Sequence, residues 1–166
     1  MERGSMGGAD NIYFASRKEA GKYNEKLNSR EGAAELLGLS ASTLAHYELG
    51  VTKVVPPDAV VMMADLYRAP ELKAYYCAHE CPIGRGMPVA TNVNSIELVT
   101  VKMIKAFRPE EAEEAKQKLV DIASDGEITA DEIPTLEWVL GYLDTMAKTV
   151  SELRLTCQKV LAGGER

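Results

Sequence analysis

Residues 29 to 50 read SREGAAELLGLSASTLAHYELG. Ser29 can accept a hydrogen bond from an exposed backbone N–H and so start a helix, and Glu31, Ala34 and Glu35 suit its body. Leu36, Leu37 and Leu39 give apolar surface at a corner whose turn is Gly38-Leu39-Ser40. Ser40 caps a second helix from Ala41 to about Leu49. Gly50 ends it, because glycine adopts the left-handed C-terminal conformation at least cost. Two short helices about a glycine turn make the helix-turn-helix pattern, in which the second helix can enter a DNA major groove.

Working outward, Asp10 or Asn11 can cap a helix spanning about Ile12 to Leu27, with Arg17, Lys18 and Lys22 along one side. Pro56-Pro57 with Asp58 in the first turn fits the start of a fourth helix. Val60, Val61, Met63, Ala64, Leu66 and Tyr67 form its apolar side. Pro70 opens a fifth helix, to about Glu80.

The run Ala34-Glu35-Leu36-Leu37-Gly38-Leu39-Ser40, with Thr43-Leu44 and Tyr47-Glu48-Leu49-Gly50, resembles the lambda-repressor-like (XRE type) DNA-binding domain. Pro57 and Ala64-Asp65-Leu66-Tyr67 extend the resemblance to the family's fourth helix, covering roughly residues 11 to 80. It implies that Leu44 and Tyr47 anchor the reading helix. It also implies that Ala41, Ser42, Thr43, Ala45 and His46 hold the positions that face DNA, with Arg30 at the start of the preceding helix reaching a phosphate or a guanine. The capping Ser40 and the nearby cation Lys53 complete the candidate DNA-binding residues. Small side chains at 41 to 45 make only weak base contacts, since bidentate readout needs Arg, Lys, Asn or Gln.

The net charge of the 166-residue chain is −6, and it is unevenly divided. Residues 1 to 86 carry ten Lys/Arg against eleven Asp/Glu, whereas residues 87 to 166 carry nine against fourteen. The near-neutral first half can present a basic face from Arg17, Lys18, Lys22, Lys26, Arg30 and Lys53. The acidic second half is a poor DNA surface, because phosphate neutralisation by Lys and Arg supplies most non-specific affinity. No run of 18 apolar residues suggests a membrane span. No apolar signal region opens the chain, so a cytoplasmic protein is expected.

Three cysteines do not make a disulfide framework. Cys77, His79 and Cys81 are metal-ligand types, but a tetrahedral site lacks a further nearby ligand pair. Two structural thiols are the preferred reading, with metal binding or redox sensing as alternatives. Asp121 to Glu132, DIASDGEITADE, approaches a calcium loop, yet Ala123 occupies the position that should offer Asp or Asn. The reading without metal has Gly126 ending one helix and Thr129-Ala-Asp-Glu132 acting as a capping box for the next.

Residues 1 to 10 read as a flexible lead-in, 11 to 83 as the helix-turn-helix domain, and 84 to 94 (GRGMPVATNVN) as a linker. Residues 95 to 166 read as an acidic helical segment with helices of about Ile96–Phe107, from Pro109 to about Ile122, and Ala130–Leu161. In the last, Leu136, Val139, Leu143, Met146, Val150, Leu153, Cys157 and Val160 recur at spacings of three and four, the seam of a coiled coil or bundle. About 30 helical residues span roughly 45 Å, more than two shorter helices need for cover. Self-association through this helix is the expectation; an intramolecular three-helix bundle is the alternative.

The expected fold is therefore all-α, a five-helix domain followed by a helical bundle or coiled-coil segment. The expected activity is sequence-specific binding of double-stranded DNA as a dimeric transcriptional regulator of bacterial or phage type, with the acidic C-terminal half also a candidate site for a protein partner. The alternative is a protein-interaction adaptor that keeps the scaffold without DNA. No catalytic triad or phosphate loop is present, so neither an enzyme nor a cofactor is expected.

Overall fold

Ser29 and Ser40 each turn an extended residue into a helix start. Ser29 Oγ accepts from Gly32 N at 3.0 Å, and Ser40 Oγ accepts from Thr43 N at 3.0 Å. Gly38 (φ 65°) and Gly50 (φ 68°) take the left-handed conformation expected of them at the two C-terminal ends. The computed structural model describes residues 11–124 and 126–163, and among these it is all helical. The lead-in expected at residues 1 to 10 lies outside the described residues.

The described residues fall into two units, the first comprising 11–87 with 158–163 and the second lying within 88–157. In the first, α1 (Ile12–Ala20) is followed by a 3-10 turn (Glu25–Asn28), α2 (Arg30–Leu37), α3 (Ala41–Glu48), α4 (Pro57–Leu66) and α5 (Glu71–Tyr75). Leu27, Leu44, Met63 and Leu72 are fully buried at its centre, with Val55, Val60 and Tyr67 around them.

Three boundaries differ from expectation, each for a local reason. The first helix stops at Ala20 instead of running to Leu27. Asn28 folds back, its Nδ2 donating to the Gly21 carbonyl, and a side chain at 21 would collide with it. The fifth helix widens at its end into a π-turn, Tyr76–Glu80, closed by Cys81 N donating to Tyr76 O at 2.8 Å. That turn delivers Glu80 to Tyr13 Oη (2.6 Å) and Val55 N (2.7 Å), which donate to its two oxygens. The Glu80 carboxylate, after burial itself, pushes the Tyr13 phenol far above its ordinary range.

The second unit holds α6 (Ile96–Ala106), α7 (Pro109–Ile122) and most of α8 (Ile133–Leu161). Helix α8 begins at Ile133 rather than Ala130. The Glu132 carboxylate accepts from both the backbone N–H (2.8 Å) and hydroxyl (2.7 Å) of Thr129, half of a capping box. Residues 88 to 94, read as linker, are tied to α8. Ala90 N donates to Ser151 Oγ at 3.1 Å, and Thr156 Oγ1 donates to the Asn94 carbonyl at 3.2 Å.

Glu152, nearly buried, accepts from Asn94 Nδ2 and from Lys102 Nζ, the latter at 2.6 Å. Burial alone would raise its pKa, but these two donors outweigh that and hold it below the ordinary carboxylate range. A folded pKa below the unfolded one adds stability above the unfolded value of about 4.3, lost as pH falls through the folded value. Glu152→Gln is therefore expected to cost about 1 kcal/mol at pH 7. In thermal melts its deficit relative to wild type should vanish as the buffer is acidified below the folded pKa.

The core of this second unit is thin. Val99, Ala106, Ala115, Ile122, Val139 and Leu155 are buried, while Leu98, Val101, Ile104, Leu140, Leu143 and Val150 remain exposed.

Candidate nucleic-acid interface

Leu44, Tyr47 and Glu48 share one side of α3 at spacings of three and four, and all three are buried. A carboxylate on a core-facing stripe requires an interior cation. Arg17 supplies it from α1, with Nε 2.5 Å from Glu48 Oε1 and Nη2 3.0 Å from Oε2. The remaining guanidinium nitrogen donates to the carbonyls of Leu27 and Asn28, at 2.9 and 3.2 Å. Desolvation would depress Arg17, but the hydrogen bond and charge of Glu48 outweigh it and raise its pKa.

Arg30, the first residue of α2, donates its Nε to Glu48 Oε2 at 2.7 Å. One carboxylate at the end of α3 thus fixes that helix against α1 and α2. Asn11 adds a further tie, its Nδ2 donating to the Tyr47 carbonyl at 3.1 Å. Burial and the nearby Glu48 charge push the Tyr67 phenol well up, keeping it neutral in the core.

With Leu44, Tyr47 and Glu48 turned inward, the opposite face of α3 is open. Ser42 and His46 are exposed, and Ala41, Thr43 and Ala45 are partly so. At its N-terminus the Ser40, Ser42 and Thr43 hydroxyls form a chain, with Ser40 Oγ 2.9 Å from Ser42 Oγ and 2.7 Å from Thr43 Oγ1. Lys53 lies exposed in the loop after α3. These are donors, acceptors and methyls of the kind that touch base edges and phosphates.

Arg17 does not belong to the basic face on which the sequence placed it. It is 2% exposed, consumed by Glu48. Arg30 keeps 35% of its side chain exposed while paired. Lys26 lies 3.5 Å from Glu35, and Lys18 reaches the Asn28 carbonyl at 3.4 Å. Sequence reasoning grouped Glu48 with its neighbours but gave it no role. The signal was there: an acidic residue in step with Leu44.

Cys77, Cys81 and Cys157 are free thiols, and His79 rests against the Tyr75 ring with centroids 4.5 Å apart. Among the described residues no three His, Cys, Asp or Glu side chains converge as a metal site. Asp121 closes α7, accepting from Gln117 Nε2 at 2.8 Å, whereas Asp125 of the calcium-loop comparison lies outside the described residues. Of the seam on α8, Val139 is buried, Leu136, Met146 and Leu153 are half-buried, and Leu143, Val150 and Val160 are exposed. Among the described residues no helix is long and apolar enough to cross a membrane.

Residues 28–74 match the family model described as a helix-turn-helix domain. The match begins just before α2 and reaches into α5, in keeping with the lambda-repressor-like resemblance, and the C-terminal half is unassigned. No curated protein and no solved structure matches the chain.

Proposed function

We propose that the chain is a transcriptional regulator of bacterial or phage type that binds double-stranded DNA through α3 and acts as a dimer through its C-terminal helices. One observation carries the reading. The Arg17–Glu48–Arg30 group locks the inner side of α3, while Ser42 and His46 on its outer side are exposed. A rigid helix with a free polar face is what groove insertion demands. DNA as partner places the protein in the cytoplasm.

Few cations surround that face, so a single head binds weakly. Pairing two heads on half-sites about 34 Å apart raises the effective concentration of the second. The exposed stripe Leu140, Leu143 and Val150 on α8 supports pairing through that helix, because such runs of large apolar side chains favour association. Bound helices with small reading side chains give modest base discrimination, so affinity leans on phosphate contacts.

Fluorescence polarisation with a random-sequence duplex tests this. The wild-type chain should bind at low salt and lose affinity linearly in log salt. Arg30→Ala should weaken binding and reduce the salt slope by about 1. Glu48 keeps Arg17 as a two-pronged partner in that variant, so the fold should hold. An affinity absent at low salt would favour the protein-interaction adaptor, which the net charge of −6 also suits.

A further inference from the structure

Within the second unit, α6, α7 and α8 enclose an open cleft of about 750 Å³, a volume typical of small-molecule sites. One wall is aromatic. Trp138 and Tyr142, one turn apart on α8, lie with ring planes 7° apart and centroids 6.1 Å apart. Lys118 Nζ sits 5.1 Å from the centroid of the Trp138 ring.

Most charges at the cleft are already matched. Glu111 pairs with Arg108 at 3.3 Å, Glu114 with Lys118 at 3.4 Å, and Lys102 with Glu152 at 2.6 Å. One cation is left over. Lys105 has no ion-pair partner among the described residues.

The cleft also contains Gly141, inside the 29-residue helix α8. Glycine weakens a helix interior relative to alanine. A Cβ built there meets no heavy atom within 4 Å, so no neighbour demands the glycine. It leaves open the space beside the two aromatic rings.

We propose that this cleft binds a small aromatic carboxylate. Its ring would lie on the Trp138–Tyr142 wall and its carboxylate would accept from Lys105 Nζ. The site goes beyond DNA binding and does not depend on it.

The full chain titrated calorimetrically with benzoate and with 2-naphthoate tests the assignment. Emission from Trp138, the only tryptophan, gives a local readout for benzoate. Saturable binding is expected for at least one probe. The matching neutral amide, benzamide or 2-naphthamide, should bind about tenfold more weakly or worse, for want of a charge-assisted hydrogen bond. Lys105→Gln should lose a similar factor, and Gly141→Leu should abolish binding while raising the melting temperature. No saturable response to either probe overturns the proposal. So does equal affinity for acid and amide, or wild-type affinity in Gly141→Leu. None of these readouts involves DNA, so failure here and failure of the regulator reading are separable.

Discussion

Replacing Glu48 with alanine should destabilise the helix-turn-helix unit by about 3–5 kcal/mol, the cost of stranding a buried cation. Arg17 is 2% exposed and would keep only the Leu27 and Asn28 carbonyls. Since domains of this size are stable by about 5–15 kcal/mol in all, the variant should sit near its unfolding threshold at room temperature. Urea denaturation followed by circular dichroism measures the effect. Arg17→Met combined with Glu48→Leu removes both charges from the core together and should recover most of the loss, as apolar replacements of buried pairs do. A Glu48→Ala variant within about 1 kcal/mol of wild type would mean that the pair does not hold α3.

The second large effect concerns assembly. Leu143 and Val150 are 49% and 40% exposed, so Leu143→Asp and Val150→Asp place a carboxylate in solvent at little cost to one protomer's fold. At a subunit contact the same carboxylates would be desolvated without a cation. Sedimentation should show dimers for wild type and monomers for either variant. On a duplex carrying two half-sites, loss of the tether should lower affinity by about 10²–10⁴, with little change on a single half-site. A wild-type chain that sediments as one protomer at micromolar concentration removes this half of the account. Val139 gives the contrast, because it is 3% exposed and a carboxylate there should destabilise the second unit itself.

Local chemistry was readable in the sequence wherever one residue decides the outcome. Ser29 and Ser40 cap, and Gly38 and Gly50 turn, because each acts on backbone within a few residues of itself. The inward side of α3 was legible for the same reason, through the spacing of Leu44 and Tyr47. What escaped depends on partners distant in sequence. Arg17 looks like a surface cation until Glu48, 31 residues on, is seen to face it. The stop at Ala20 follows from Asn28 returning to the Gly21 carbonyl, and nothing in residues 12 to 21 announces it. The π-turn at Tyr76–Glu80 serves Tyr13 and Val55, neither near it in the chain.

On α8 the apolar period was visible, but its division between buried and exposed faces was not. Polar residues take part of the buried face, as Thr149, Glu152 and Thr156 do. Thr149 Oγ1 spends its hydrogen on the Thr145 carbonyl at 2.8 Å, and Glu152 is claimed by Lys102 and Asn94. A hydrophobic count therefore misses the polar part of the unit's own interior.

The most direct measurement compares the wild-type chain with Ser42→Glu/His46→Glu in polarisation titrations against duplex DNA across a salt series. Both side chains point to solvent, so the variant should melt like wild type. Wild type should bind with a salt-dependent affinity, and the variant, whose new carboxylates would meet the phosphate-lined groove, should lose at least about tenfold. Equal affinity for the two proteins, or no binding by wild type at low salt, would contradict DNA binding through α3.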